Sequence, residues 1–212
     1  MTFGEIHTLV DVLLDKHEAP WFNANEKDTF LNLAQMEFVK RRYREFELTE
    51  KRGEDLASIV RIHSVTVAVG TINLDAITNF LFILGLSGNF DITCGSSTVS
   101  KEIAISKVQI DDLYKILEDP FNKPTDSNPL YVVRSDGTSK NVVIYSDNNP
   151  TSMEMHYLKK PLDIDGEDNP TNSPELSEHT HTEIAKTAVR MMLENIESPR
   201  YTTTINEVAR QE

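Results

Sequence analysis

The chain has 212 residues, 39% of them hydrophobic and 26% charged, a globular composition that fits one domain or one domain carrying an insertion. Its net charge of −13 lacks the basic face needed to grip nucleic acid, and its single cysteine, Cys94, excludes a disulfide framework and a multi-cysteine zinc site. No apolar run approaches the roughly 20 residues that span a bilayer.

Met1-Thr2-Phe3-Gly4-Glu5 has no basic region ahead of an apolar one, so no signal peptide is expected, and the expected setting is a reducing cytosol. Thr2 and Glu5 have the spacing of a capping box. Phe3, Ile6, Val10, Leu13 and Leu14 then recur at helical intervals and predict a first helix. Pro20 and Trp21 interrupt the pattern. A second helix is expected after Asn25 as its N-cap, with Glu26 and Asp28 in the first turn and Phe30, Leu33, Ala34 and Phe38 along one stripe. Lys40, Arg41, Arg42 and Arg44 collect at its C-terminal end, where cations suit the helix dipole; this explains them better than a phosphate site does. Residues 54–62 read as a third helix or a turn leading into sheet.

From Ser64 the period changes. Val65, Val67 and Val69 alternate with Thr66 and Ala68, a strand signature. Residues 76–84 fit a buried strand or a buried helical segment, residues 90–94 and 103–108 fit strands, and Gly95-Ser96-Ser97-Thr98 is a polar loop. Residues 109–118, with Leu113, Ile116 and Leu117, predict a short helix stopped before Pro120. Residues 131–133 and 141–145 flank Ser135-Asp136-Gly137-Thr138, a hairpin with a glycine-bearing turn. Met153, Met155 and Tyr157 alternate with Glu154, His156 and Leu158 and would add a third strand to it. Pro161, Pro170 and Pro174 punctuate an acidic linker, and Ile184, Ala188, Met191, Met192 and Ile196 predict a last helix over residues 177–197. After Pro199 no core-forming stripe remains, so a projecting tail is expected.

Helical patterns at both ends around a run of strands predict an α+β fold, in which the N- and C-terminal helices pack together and an antiparallel β-rich block is inserted between them. The expected boundaries are residues 1–63 and 175–198 for the small helix bundle, 64–160 for the β-rich insertion, 161–174 for the acidic linker and 199–212 for the extended C-terminal tail.

The search for chemistry finds no phosphate loop and no dinucleotide fingerprint. Gly85-Leu86-Ser87-Gly88 is one residue short of a nucleophile elbow. Residues 163–168 share acids with a calcium loop, but the glycine comes too early and Pro174 or Glu175 falls at the distal glutamate position. His179 and His181 are the one pair suggesting a metal-dependent hydrolase; two residues apart on a helix they diverge by about 200°. No catalytic residue, metal or cofactor is therefore expected. The alternatives kept open are that hydrolase and a generic binding or tail-completion module.

Thr2-Phe3-Gly4-Glu5-Ile6 and the run of residues 30–38, FLNLAQMEF, resemble head-to-tail connector (adaptor, or neck ring) proteins of tailed bacteriophages. The segments 174–184, PELSEHTHTEI, and 193–201, LENIESPRY, are similar to the ring proteins of crAss-like phages. The resemblance lies in the two ends of the chain and little of it in the β-rich middle. It implies a non-enzymatic virion protein at the neck, assembled in the host cytoplasm, that forms a homo-oligomeric ring of about twelve copies beneath the portal. Its implied partners are further copies of itself, the portal protein and other neck or tail proteins, with genomic DNA passing through without tight binding and no membrane involved. On that reading the acidity keeps a DNA passage from sticking. Asp126, Asp136, Asp163, Asp165, Glu167 and Asp168 are the candidates to line it. The tail offers apolar anchors among charges, and Arg200, Tyr201, Ile205, Val208 and Arg210 are the candidates to dock on the portal or a neighbouring ring subunit.

Overall fold

A computed structural model describes residues 1–14, 22–45, 54–65, 70–94 and 97–195. By its contacts the chain divides into two compact units, one made of Met1–Ile59 with Pro161–Glu212, the other of Val60–Lys160. The fold is α+β, and each unit is described separately.

In the first unit, helix α1 (Phe3–Leu14) starts at the capping box expected from the sequence: Glu5 N–H donates to Thr2 Oγ1 at 3.3 Å and Thr2 N–H to Glu5 Oε2 at 2.8 Å. Phe3, Ile6, Val10 and Leu14 form its buried stripe. Helix α2 (Ala24–Glu45) starts two residues earlier than an Asn25 cap would allow. Asn23 and Glu26 form a second capping box, with Glu26 N–H to Asn23 Oδ1 at 2.9 Å and Asn23 N–H to Glu26 Oε2 at 2.8 Å. The buried face is also displaced from the expected one. Asp28, Leu31, Ala34, Gln35, Phe38 and Val39 point inward, while Leu33 is 54% exposed. After a helical stretch at 54–56 and a 3-10 turn (Ala57–Ile59), this unit resumes at Pro161 and ends with a 3-10 turn (Glu178–Thr180) running into the last helix (His181–Asn195), which packs on both α1 and α2. Its inward face is Ile184, Ala185, Ala188, Val189, Met192 and Leu193. Ile196 lies outside the described residues.

The segment 161–176 is held to this unit throughout. Phe3 N–H donates to Asn172 O and Gly4 N–H to Pro170 O, satisfying two of the donors that a helix start leaves open. Asn32 clamps Ile164 from both sides, accepting from its N–H at 2.7 Å and donating to its carbonyl at 3.0 Å. Ile164 itself is 1% exposed.

The second unit is two four-stranded sheets sharing one core. The first has the order β1 (Val60–Val65), β8 (Ser152–Lys159), β3 (Phe80–Cys94), β4 (Ser97–Ala104), antiparallel at every step. The second has the order β2 (Thr71–Asn73), β7 (Lys140–Tyr145), β6 (Leu130–Ser135), β5 (Ser106–Lys107), with β5 and β6 parallel. Leu86, Phe90, Met153, Met155 and Tyr157 from the first sheet meet Ile72, Tyr131, Val142 and Ile144 from the second. Residues 76–79 are a turn, with Asn79 at φ 58°, and residues 80–84 begin the long strand β3. The alternation of Met153, Met155 and Tyr157 correctly marks a buried strand face, but β8 joins the first sheet between β1 and β3 and does not extend the β6–β7 hairpin. Helix α3 (Ile110–Glu118) follows its expected span, buries Leu113, and precedes the final helix, here α4 (His181–Asn195).

Candidate functional site

The densest polar cluster lies in the helical unit, at the C-terminal end of α2. Glu183, in the first turn of α4, receives Arg41 on one carboxylate oxygen and Arg42 Nη2 on the other at 3.0 Å. Arg42 Nε lies 3.1 Å from Asp55 Oδ2 as an ion pair off the hydrogen-bond axis, and Asp55 Oδ1 is 2.7 Å from His179 Nε2. Two turns further along α4, Arg190 donates to Glu37 at 3.0 Å. Arg41 and Arg42 are thus bound by carboxylates of their own chain. Glu183 fastens α4 to α2, a use that its spacing from Thr180, suggestive of a capping box, does not reveal.

The two histidines lie in different elements, not together on one α-helix as their spacing suggests. His179 sits in the 3-10 turn with a 65% exposed side chain, beside Asp55. His181 is 2% exposed, its Nε2 hydrogen-bonds the Leu176 carbonyl at 2.8 Å, and burial pushes its pKa below the ordinary histidine range. The lowered pKa leaves the ring neutral at pH 7, and with the proton on Nε2 facing the carbonyl, Nδ1 is an acceptor. Among the described residues no three His, Cys, Asp or Glu side chains are grouped to hold a metal ion.

The expected channel acids fall in both units. Asp163, Asp165, Glu167 and Asp168 belong to the helical unit, where Asp165 closes its own turn by accepting from Asp168 N–H at 2.9 Å and Asn169 Nδ2 at 2.7 Å. Glu167 and Asp168 are exposed. Asp126 and Asp136 belong to the β unit and order two different loops. Asp126 accepts from the backbone and side chain of Asn148, both at 2.7 Å. Asp136 accepts from Ser139 N–H at 2.7 Å and Thr138 N–H at 2.9 Å, and these backbone donors hold its carboxyl below the usual range. Arg200, Tyr201, Ile205, Val208 and Arg210 lie outside the described residues.

The β unit also has surfaces that hydrophobic periodicity did not single out. Helix α3 turns Ile110 and Tyr114 outward, and Phe121, just beyond it, is 94% exposed. An open depression of about 340 Å³ is lined by Lys115, Ile116, Asp119, Asn122, Asn128 and Leu130. Its charged groups are engaged: Lys115 with Asp112, and Asp119 with Phe121 N–H and Asn122 Nδ2. Strand β4 is exposed at seven of its eight residues and ends the first sheet.

No helix among the described residues is long and apolar enough to cross a membrane. No curated protein matches the chain. The family model of phage tail ring protein 3/4 matches residues 1–204. The match runs through the β-rich middle as well as the two ends that carried the resemblance, and it takes in every described helix and strand. The chain therefore belongs to the phage tail ring protein 3/4 family, ring proteins of crAss-like phages.

Proposed function

We propose that this protein is a structural virion component that assembles into a homo-oligomeric ring at the head-to-tail junction, beneath the portal, through which the genome passes. The observation that carries the reading is the family match over residues 1–204. The copy number suggested by the resemblance is twelve.

On this reading the net charge of −13 serves the passage, since duplex DNA carries one charge per about 1.7 Å and a wall of like sign keeps it from adhering. Glu167 and Asp168, exposed on the segment braced against α1 and α2, are the preferred wall residues, with Asp163 and Asp165 beside them. Asp126 and Asp136 combine that role with ordering their loops. The tail from residue 199 docks on the portal or an adjoining ring, with Tyr201, Ile205 and Val208 as anchors and Arg200 and Arg210 pairing with carboxylates. Ordering such a segment alone costs about 1–2 kcal/mol per residue, which a partner surface has to offset.

Electron microscopy of the purified full chain, alone and mixed with portal protein, tests the reading. The expected result is a cyclic ring seated on the portal, and deletion of residues 200–212 should leave the melting transition unchanged while abolishing docking. A chain that stays monomeric in both conditions overturns the proposal.

A further inference from the structure

The two sheets treat their edges differently. The second sheet ends in β2, of three residues, and β5, of two, and such short edges offer almost nothing to pair with. The first sheet ends in β1, of six residues, and β4, of eight. Ile62 on β1 is 57% exposed and Val99 on β4 is 59% exposed. Among the described residues no other strand pairs with the outer side of either edge. A long exposed edge is a template for another strand, and proteins that must stay monomeric blunt it.

Direction permits a second copy as the occupant. All three pairings in this sheet are antiparallel and the strand number is even, so β1 and β4 run in opposite directions. A second copy placed beside the first in the same orientation brings its β1 antiparallel to the first copy's β4. The edges are different strands, so the contact is heterologous, the type that repeats from copy to copy and closes into a ring. Pairing β4 with β4 would be isologous and would stop at a dimer.

The side-chain faces agree. Val65 opposes Met153, and Val99 opposes Ile92, which places Val65 and Val99 on the core-facing side of the sheet. Setting Val60–Val65 against Val99–Ala104 puts Val65 opposite Val99 as an apolar pair across the junction, followed on the same face by His63 opposite Lys101 and Arg61 opposite Ile103. The same register puts Ser64 opposite Ser100, both exposed on the other face.

We propose that the outer edge of β4 in one copy pairs with the outer edge of β1 in the next, continuing the antiparallel sheet from subunit to subunit. This deepens the ring reading and rests on it. The test places Ser64→Cys and Ser100→Cys in a full-length chain whose native Cys94 is replaced by serine, and oxidises the assembled oligomer. Both substitutions are near-isosteric at exposed positions. The expected result is a ladder of disulfide-linked multimers from the double variant and none from either single variant, with the two single variants giving linked dimers only when mixed. Rings visible by microscopy but not cross-linked by oxidation overturn the edge pairing and leave the ring reading standing. Linked dimers from Ser100→Cys alone overturn it in favour of a two-fold contact. A parent chain and a double variant that both stay monomeric, alone and mixed with portal protein, overturn the ring reading together with the inference.

Discussion

Gly166 and His7 approach so closely that a Cβ on the glycine would lie 2.4 Å from His7 Nε2. The same imidazole nitrogen sits 2.7 Å from Asp28 Oδ1, and that oxygen also accepts Gly166 N–H at 2.9 Å. One buried carboxylate on α2 therefore holds a side chain of α1 and the backbone of the segment that crosses both.

Gly166→Ala forces the imidazole off Asp28 and should destabilise the helical unit by about 1–3 kcal/mol, the usual cost of overpacking. His7→Ala creates the room the methyl group needs. The double variant should then lose less stability than the two single losses added together, as measured by urea denaturation. Additive losses would mean that the ring does not obstruct the methyl group.

Parts of this unit were open to sequence reasoning for identifiable reasons. The box of Thr2 and Glu5 and the stripe of α1 are local patterns, and both form as read. On α2, apolar residues at 30, 31 and 33 leave the choice of face ambiguous, and the polar residues decide it. Asp28 and Gln35 are buried because distant backbone meets them: Gly166 N–H in one case, the Leu162 carbonyl in the other. A hydrophobic pattern gives such residues no inward weight. In the β unit the inward residues of β8 were legible from their period of two, but its neighbours are fixed by register with strands 63 to 98 residues away. The pairing of Glu183 with Arg41 and Arg42 spans more than 140 residues and leaves no local trace.

Glu183→Gln keeps the shape of the side chain and removes the charge that two guanidinium groups share. Because these side chains are 19–40% exposed, the loss should be about 1 kcal/mol, below the range for a buried charged pair. The difference from the parent chain in urea midpoint should narrow as salt is raised. A difference indifferent to salt would point to packing as its source.

His181 makes stability depend on pH. Burial lowers its pKa in the folded chain, opposed by the hydrogen bond to the Leu176 carbonyl and by Glu178, while the N-terminal amine and His179 lower it further. The unfolded chain therefore binds the proton first as pH falls, and stability drops below the ordinary histidine value of 6.5. Above that value the contribution is fully present. His181→Gln should be less stable at pH 8 and should show a flatter decline between pH 8 and pH 5, read as urea midpoints. A parallel decline in both chains would assign the acid sensitivity to other groups.

Two glycines of the β unit should respond in opposite ways to alanine. Gly137, in the β6–β7 turn, has φ +87°, where an L-residue is strained, so Gly137→Ala should cost about 1–2 kcal/mol. Gly85 has open space within 4 Å of an added Cβ and no positive φ, so Gly85→Ala should be neutral or slightly stabilising. Thermal melts of the two variants beside the parent chain give the comparison.

The helical unit is written in two pieces on either side of residues 60–160. During synthesis the N-terminal piece leaves the ribosome without α4, and Glu183, 142 positions after Arg41, has to be made before their contact can form. The β unit is contiguous and complete by Lys160, so it can close first, while α1 and α2 keep their apolar stripes uncovered. Closing the helical unit is then the late, long-loop step of folding. A nascent chain halted before residue 181 should consequently be the species that calls on chaperones.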